Sequence, residues 1–187
     1  VDGISGMHIW ADVPVGKVSI EPGPRMASAD WFYINVKGKG GHGSQPENCI
    51  DAVVASSAIV MNLQSIVSRE TKPSNPLVLT VGMLKSGTRF NVIAEDGYME
   101  GTTRCFNPEL RKNLPEMMEK IINRIADSYG ADASLEYKFL LSPTINDKNC
   151  SAIAENIASD IVGPENVIKF EKITGGEDFF ISTSNKG

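Results

Sequence analysis

The chain has 187 residues, 41% of them hydrophobic and 22% charged, with a formal charge of −5. That is the balance of an ordinary globular chain, long enough for one domain or one domain and part of another. The acidic sign argues against a nucleic-acid or anionic-membrane partner, and no apolar run reaches the ~20 residues that a membrane-spanning helix needs.

In chain order, "VDGISGMHIWADVPVGKVSIEPGPRMAS" offers two short strands, around 5–10 and 17–20, with a connector through Pro22–Pro24. "DWFYINVKGKG" alternates: Phe32, Ile34 and Val36 point one way, and Trp31, Tyr33 and Asn35 the other, as in a strand with one buried face. "SQPE" reads as a capping box on Ser44 and Glu47, with Pro46 in the first turn of a helix over about 46–68. Ile50, Val53, Val54, Ala58 and Met61 form its apolar stripe, widened by Ala55, Ile59, Leu63 and Ile66. "LVLTVGMLKSG" is a second strand. "FNVIAEDGYMEGTTRCF" holds a short strand, a turn at Asp96-Gly97, and a third main strand over about 98–106. Asn107 caps a helix with Pro108 in its first turn, Pro115 kinks it or delays its start, and Gly130 closes it. "ASLEYKFLL" is a fourth strand, and "NDKNCSAIAENIASDIV" a third helix stopped by Gly163-Pro164, with a short strand in "VIKFEKI".

The order over 30–141 is therefore β-α-β-β-α-β. It implies an α+β, ferredoxin-like domain: a four-stranded antiparallel sheet with two helices on one face. The flanks, 1–25 and 143–187, are too short for cores of their own and read as pieces of a second domain. Val1 at the start and "GGEDFFISTSNKG" at the end make both termini read as cut. Cys49, Cys105 and Cys150 show no C-x-x-C spacing. They read as reduced thiols of a cytoplasmic protein rather than a disulfide framework.

Two histidines stand out. His8 fits either a satisfied structural histidine or a metal ligand, and no partner at ligand spacing surrounds it. His42, in "GKGGHG", is either a turn residue or an exposed imidazole within reach of a ligand; the stretch lacks the glycine spacing of a nucleotide loop. Arg104, in the strand "EGTTRCF", is either a solvated or paired arginine or a bidentate holder of a substrate carboxylate. Asn91 is either a turn residue or a ligand contact. Glu177 and Asp178 are adjacent, and either serves a cationic site if the segment is a loop.

"GMHIWADVPVG", "VKGKGGHGSQPENCIDAV", "GTRFNVIAEDGYMEGTTRCFNPELR" and "GGEDFF", in this order over nearly the whole chain, resemble the metal-dependent aminoacylase and carboxypeptidase family. The nearest branch is that of hippurate, indole-acetyl-amino-acid and N-acyl-L-amino acid amidohydrolases. The resemblance implies hydrolysis of N-acyl amino acids or dipeptides at two divalent ions, zinc or manganese. It implies a catalytic domain carrying an inserted lid, here 26–142, through which a homodimer forms. It gives His8 the role of metal ligand and His42 that of an oxyanion donor in the partner subunit's active site. Asn91 and Arg104 inherit places near the substrate. The family's Cys-Gly-His-Asp motif, its Glu-Glu pair and its last metal histidine are absent from the sequence, so this chain by itself is expected to be inactive. The rival expectation is a non-catalytic ferredoxin-like module for dimerisation or small-molecule binding. RNA binding on the sheet face fails on charge and on the lack of paired stacking aromatics.

Overall fold

Residues 3–178 are described by a computed structural model of the chain. In chain order its elements are β1 (Val18–Ser19), β2 (Gly23–Met26), β3 (Ala29–Lys37), β4 (Gly41–His42), α1 (Ala52–Ser65), β5 (Leu77–Ser86), β6 (Val92–Ile93) and β7 (Asp96–Cys105). There follow α2 (Pro108–Ser128), β8 (Asp132–Leu141), β9 (Thr144–Asn146), α3 (Lys148–Val162) and β10 (Val167–Ile168).

The main sheet has the order β5-β7-β3-β8, with every neighbouring pair antiparallel. The first and fourth strands of the β-α-β-β-α-β run thus pair, the third lies against the first, and the second forms the far edge. This is the ferredoxin-like arrangement that the element order implies. The alternation of β3 is realised: Phe32, Ile34 and Val36 are buried, while Trp31 and Asn35 are exposed. Those inward residues join Met99 of β7, Ile59 and Leu63 of α1, and Leu114, Met118 and Ile122 of α2 in one core. Each large apolar side chain sealed there contributes roughly 1.5–3 kcal/mol.

The first helix differs from expectation at its start and in its facing. Ser44 does not cap it. Pro46–Asn48 forms a separate 3-10 turn, and α1 begins at Ala52, where Asp51 Oδ1 accepts the N–H groups of Val53 (2.8 Å) and Val54 (3.3 Å). Val53, Val54 and Met61 of the expected stripe are exposed, while Ala55, Ile59 and Leu63, expected to widen it, form the inward face together with Ala52 and Ser56. Small residues decide this. A Cβ on Gly97 of β7 would lie 2.2 Å from Ser56 Oγ, so helix and sheet approach as closely as they do only where both present small side chains. Asp96-Gly97 is no turn, since both residues lie within β7, paired with Lys37 and Val36 of β3. The stretch 52–70 is long and apolar enough on average to cross a membrane, yet its inward face is seated on the sheet as in a core helix.

The second helix is capped as expected, Asn107 Oδ1 accepting from Glu109 and Leu110. It starts at Pro108 without delay and continues through Pro115. Gly130 closes it at φ +71°, in the left-handed region where glycine is unstrained.

The two flanks meet each other. β1 pairs in parallel with β10, and β2 pairs antiparallel with β9, so 23–26 is a strand rather than a connector. Residues 3–10 form no strand; Met7 and Ile9 are fully exposed, and no described segment pairs with them. Where the chain crosses from the flanks into the sheet, the Ala27 N–H is shared between the carbonyls of Ile173 and Gly175.

At that crossing sits a buried polar cluster. Asp30, on the inward side of β3, is sealed from solvent. Its carboxylate takes two hydrogen bonds from the Arg111 guanidinium and a third from the Leu140 N–H at 2.9 Å. Arg111 also donates to Ser142 Oγ, and the Tyr137 hydroxyl bonds Thr103. Burial pushes the Tyr137 phenol well above its ordinary range. The cluster ties β3, β7, β8 and α2 together at the base of the sheet, where the chain enters and leaves the domain.

Candidate active site

Two groups of polar side chains are assembled at opposite ends of the sheet. The distal group is built on the small ladder of β4 and β6. His42 lies opposite Val92, and Gly41 opposite Ile93; the Gly43 N–H then bonds the Asn91 carbonyl at 2.9 Å. The glycines are required by close approach. A Cβ on Gly41 would stand 2.4 Å from Cys49 Sγ, and one on Gly43 2.9 Å from the Asn91 oxygen. His42 and Asn91 are thereby placed side by side, both exposed. The imidazole Nδ1 lies 2.7 Å from Ser44 Oγ and accepts the Ser44 N–H at 3.2 Å. No described residue bonds its Nε2.

The proximal group lies at the base. Arg104 of β7 pairs with Val78 of β5. Its neighbours in β7 bond Asp30 and Ser28, which sets it level with Ala29, and Gly176 packs so closely on Ala29 that a Cβ there would fall 2.9 Å away. One guanidinium nitrogen of Arg104, Nη1, is buried with no hydrogen-bond partner. In the flanks, His8 Nε2 contacts Glu177 Oε2, joining residues 169 positions apart. The His8 ring also meets Trp10 edge-on, and Trp10 meets Phe170. His8 is largely exposed and Glu177 only slightly so.

The distance between the groups matters. Asp96 and Arg104 bound eight residue steps of β7, roughly 26 Å at strand rise, and the His42–Val92 pair lies beyond the Asp96 end. One small substrate cannot touch His42 and Arg104 of the same chain.

An imidazole nitrogen and a carboxylate oxygen, as His8 and Glu177 bring together, are donors that zinc or manganese accepts. A catalytic zinc takes about three protein ligands. No group of three metal-ligating side chains occurs among the described residues. Sequence spacing marks His8 but does not mark Glu177 as its partner. The hint was the acidic pair in "GGEDFF", whose approach to His8 depends on how β1, β2, β9 and β10 bring the flanks together.

The profile of the M20 peptidase dimerisation domain matches residues 27–133, more than half of the chain. The chain belongs to that family. It is 40% identical over 146 residues to an N-acyl-L-amino acid amidohydrolase of Geobacillus stearothermophilus, covering 78% of this chain and 40% of that protein. It is 39% identical to an N-acetylcysteine deacetylase of Bacillus subtilis, covering 96% of this chain and 47% of the relative. Among solved structures, the Bacillus subtilis YxeP protein, described as a dinuclear metal-binding peptidase of the M20 family, superimposes with a TM-score of 0.79. It is 32% identical, over 95% of this chain and 44% of that one. The chain thus spans less than half the length of these relatives.

Proposed function

We propose that this chain is the lid, with adjoining parts of the catalytic unit, of a metal-dependent amidohydrolase acting on N-acyl amino acids or dipeptides. In this reading residues 26–142 are the lid, and 1–25 and 143–187 belong to the catalytic unit. The observation that carries the reading is the separation of His42 and Asn91 from Arg104 and the His8–Glu177 pair by the length of the sheet. Two half-sites that cannot meet within one chain meet across two copies.

The roles follow from chemistry. Two divalent ions, zinc or manganese, when bound would polarise the scissile carbonyl and make an attacking water acidic. His8 would hold one of them, with Glu177 beside it. Arg104 offers an unpaired guanidinium nitrogen to the substrate carboxylate. His42, exposed on its glycine-flanked loop, reaches the partner's site with Nε2 leading, as a hydrogen-bond donor to the tetrahedral oxyanion. Asn91 accompanies it at the substrate. Closure of the lid over the cleft would exclude water.

A second copy is also the fitting occupant for the outward side of α1. Val53, Val54 and Met61 are 40%, 46% and 72% exposed, next to β5, whose outer edge pairs with no described strand. The matched domain is a dimerisation domain, and an apolar helix face beside an open strand edge suits a symmetric pairing.

The test uses a polypeptide of full family length that contains this chain, supplied with zinc or manganese and N-acyl amino acids. His42→Ala should lower kcat roughly 10²-fold or more. His8→Ala should do likewise through lost metal. Mixing the two inactive variants should restore activity, because each hybrid dimer holds one site with both residues intact. No recovery on mixing would refute delivery across the dimer.

A further inference from the structure

Among the described residues, Ser44 alone hydrogen-bonds the His42 ring. The turn that brings them together is closed by the Gln45 N–H on the His42 carbonyl at 2.9 Å. Within it, the Ser44 backbone N–H points at Nδ1 from 3.2 Å, and Ser44 Oγ lies 2.7 Å from the same nitrogen. A backbone N–H only donates, so Nδ1 must present its lone pair. A neutral imidazole with an unprotonated Nδ1 carries its proton on Nε2. The Ser44 hydroxyl, which rotates to suit its neighbour, then donates to the same lone pair. Residue 43 has to be glycine for this turn to lie against the Asn91 carbonyl.

We propose that Ser44 is a positioning residue that fixes His42 as its Nε2–H tautomer, so that the exposed nitrogen is a neutral hydrogen-bond donor. The inference rests on the reading of His42 as an oxyanion donor and names what that role requires. The opposite tautomer would aim a lone pair at the oxyanion and repel it. The Nε2–H form donates without the ring first having to acquire a charge. Ser44 does not itself touch substrate. Its contribution is the orientation and protonation pattern of its neighbour, as in other sites where the hydrogen bond at one ring nitrogen decides the state of the other.

The experiment is long-range ¹H–¹⁵N correlation NMR on this chain, at a pH above the ordinary imidazole range. The chain holds two histidines, so a His42→Ala spectrum assigns the signals. The expected result is a pyridine-like Nδ1 and a protonated Nε2 for His42. A ring protonated on Nδ1 would overturn the proposal. Ser44→Ala keeps the backbone donor and loses the hydroxyl. It should raise the Nδ1–H fraction and, in the full-length polypeptide, lower kcat roughly threefold to tenfold with KM unchanged, the size expected for one lost hydrogen bond. Ser44→Thr should restore both readouts. An unchanged tautomer ratio and unchanged kcat in Ser44→Ala would remove Ser44 from the role. A His42 ring of the expected tautomer in a polypeptide that hydrolyses no N-acyl amino acid would support the tautomer and refute the amidohydrolase reading, so the two fail separately.

Discussion

Arg111 grips Asp30 with two parallel hydrogen bonds: Nε donates to Oδ2 and Nη2 to Oδ1, each at 2.8 Å, around a carboxylate closed off from solvent. The pair joins α2 to β3 at the point where the chain enters the sheet. Removing one partner leaves the other charge buried without its complement. Arg111→Met should therefore destabilise the fold by roughly 3–5 kcal/mol in urea unfolding. A loss below about 1 kcal/mol would show that water reaches Asp30 and takes over the arginine's part.

Gly101 of β7 lies under the ring of Phe32. A Cβ there would stand 2.0 Å from Phe32 Cζ and 2.4 Å from the Thr80 carbonyl oxygen. Gly101→Ala should cost at least roughly 1–3 kcal/mol, as overpacking does. In a Phe32→Leu background the added cost should shrink, because the ring half of the clash is gone. Equal costs in both backgrounds would mean that the backbone, not the ring, takes up the strain.

The three thiols differ in reach. Cys150 is exposed, Cys49 intermediate and Cys105 buried. Burial raises the Cys105 thiol pKa, which suppresses the thiolate that alkylating reagents attack. With iodoacetamide at neutral pH, mass spectrometry should find Cys150 modified first and Cys105 only when the protein unfolds. Early labelling of Cys105 would contradict its place in the core.

Asp147 caps α3, its Oδ1 accepting the N–H groups of Asn149 (2.8 Å) and Cys150 (2.9 Å). These bonds, that to Cys150 foremost, lower its carboxyl pKa below the ordinary value. A depressed acid stabilises the folded state above the pKa of the unfolded carboxyl, and that contribution fades as pH falls through the lower folded value. Amide protection at Asn149 and Cys150 should accordingly drop in acid below the ordinary carboxylate range. Asp147→Asn should remove this pH dependence while leaving the helix capped.

The exposed α1 face offers a direct test of the proposed pairing. Val54→Asp combined with Met61→Asp places two charges where a second copy would sit. Both positions are exposed in the single chain, so the fold should hold and the circular dichroism spectrum should not change. Sedimentation should show a shift from dimer to monomer. An unaltered dimer would move the interface elsewhere.

Much of this was legible in the residues. "DWFYINV" declared its inward face by alternation, and Asn107-Pro108 declared a helix start through a side-chain oxygen and a missing N–H. One signal was present and passed over. Asp30 shares the parity of Phe32, Ile34 and Val36, so a carboxylate pointed into the core and required a partner. The "SQPE" capping box failed because its serine had a nearer claimant in the His42 ring, while Asp51 lay closer to the first free N–H groups of α1.

Alternation and caps are contests among neighbours a few positions apart, and for those the order of residues was enough to settle the faces of β3, the start and close of α2 and the β-α-β-β-α-β run. The side of α1 that turned inward, the sealing of Asp30 by Arg111, the meeting of His8 with Glu177 and the placing of His42 and Arg104 at opposite ends of the sheet depended on the fold. Each of these is a contact or a separation between residues dozens of positions apart, and the energy that decides it exists only once the strands have paired and the helices have packed.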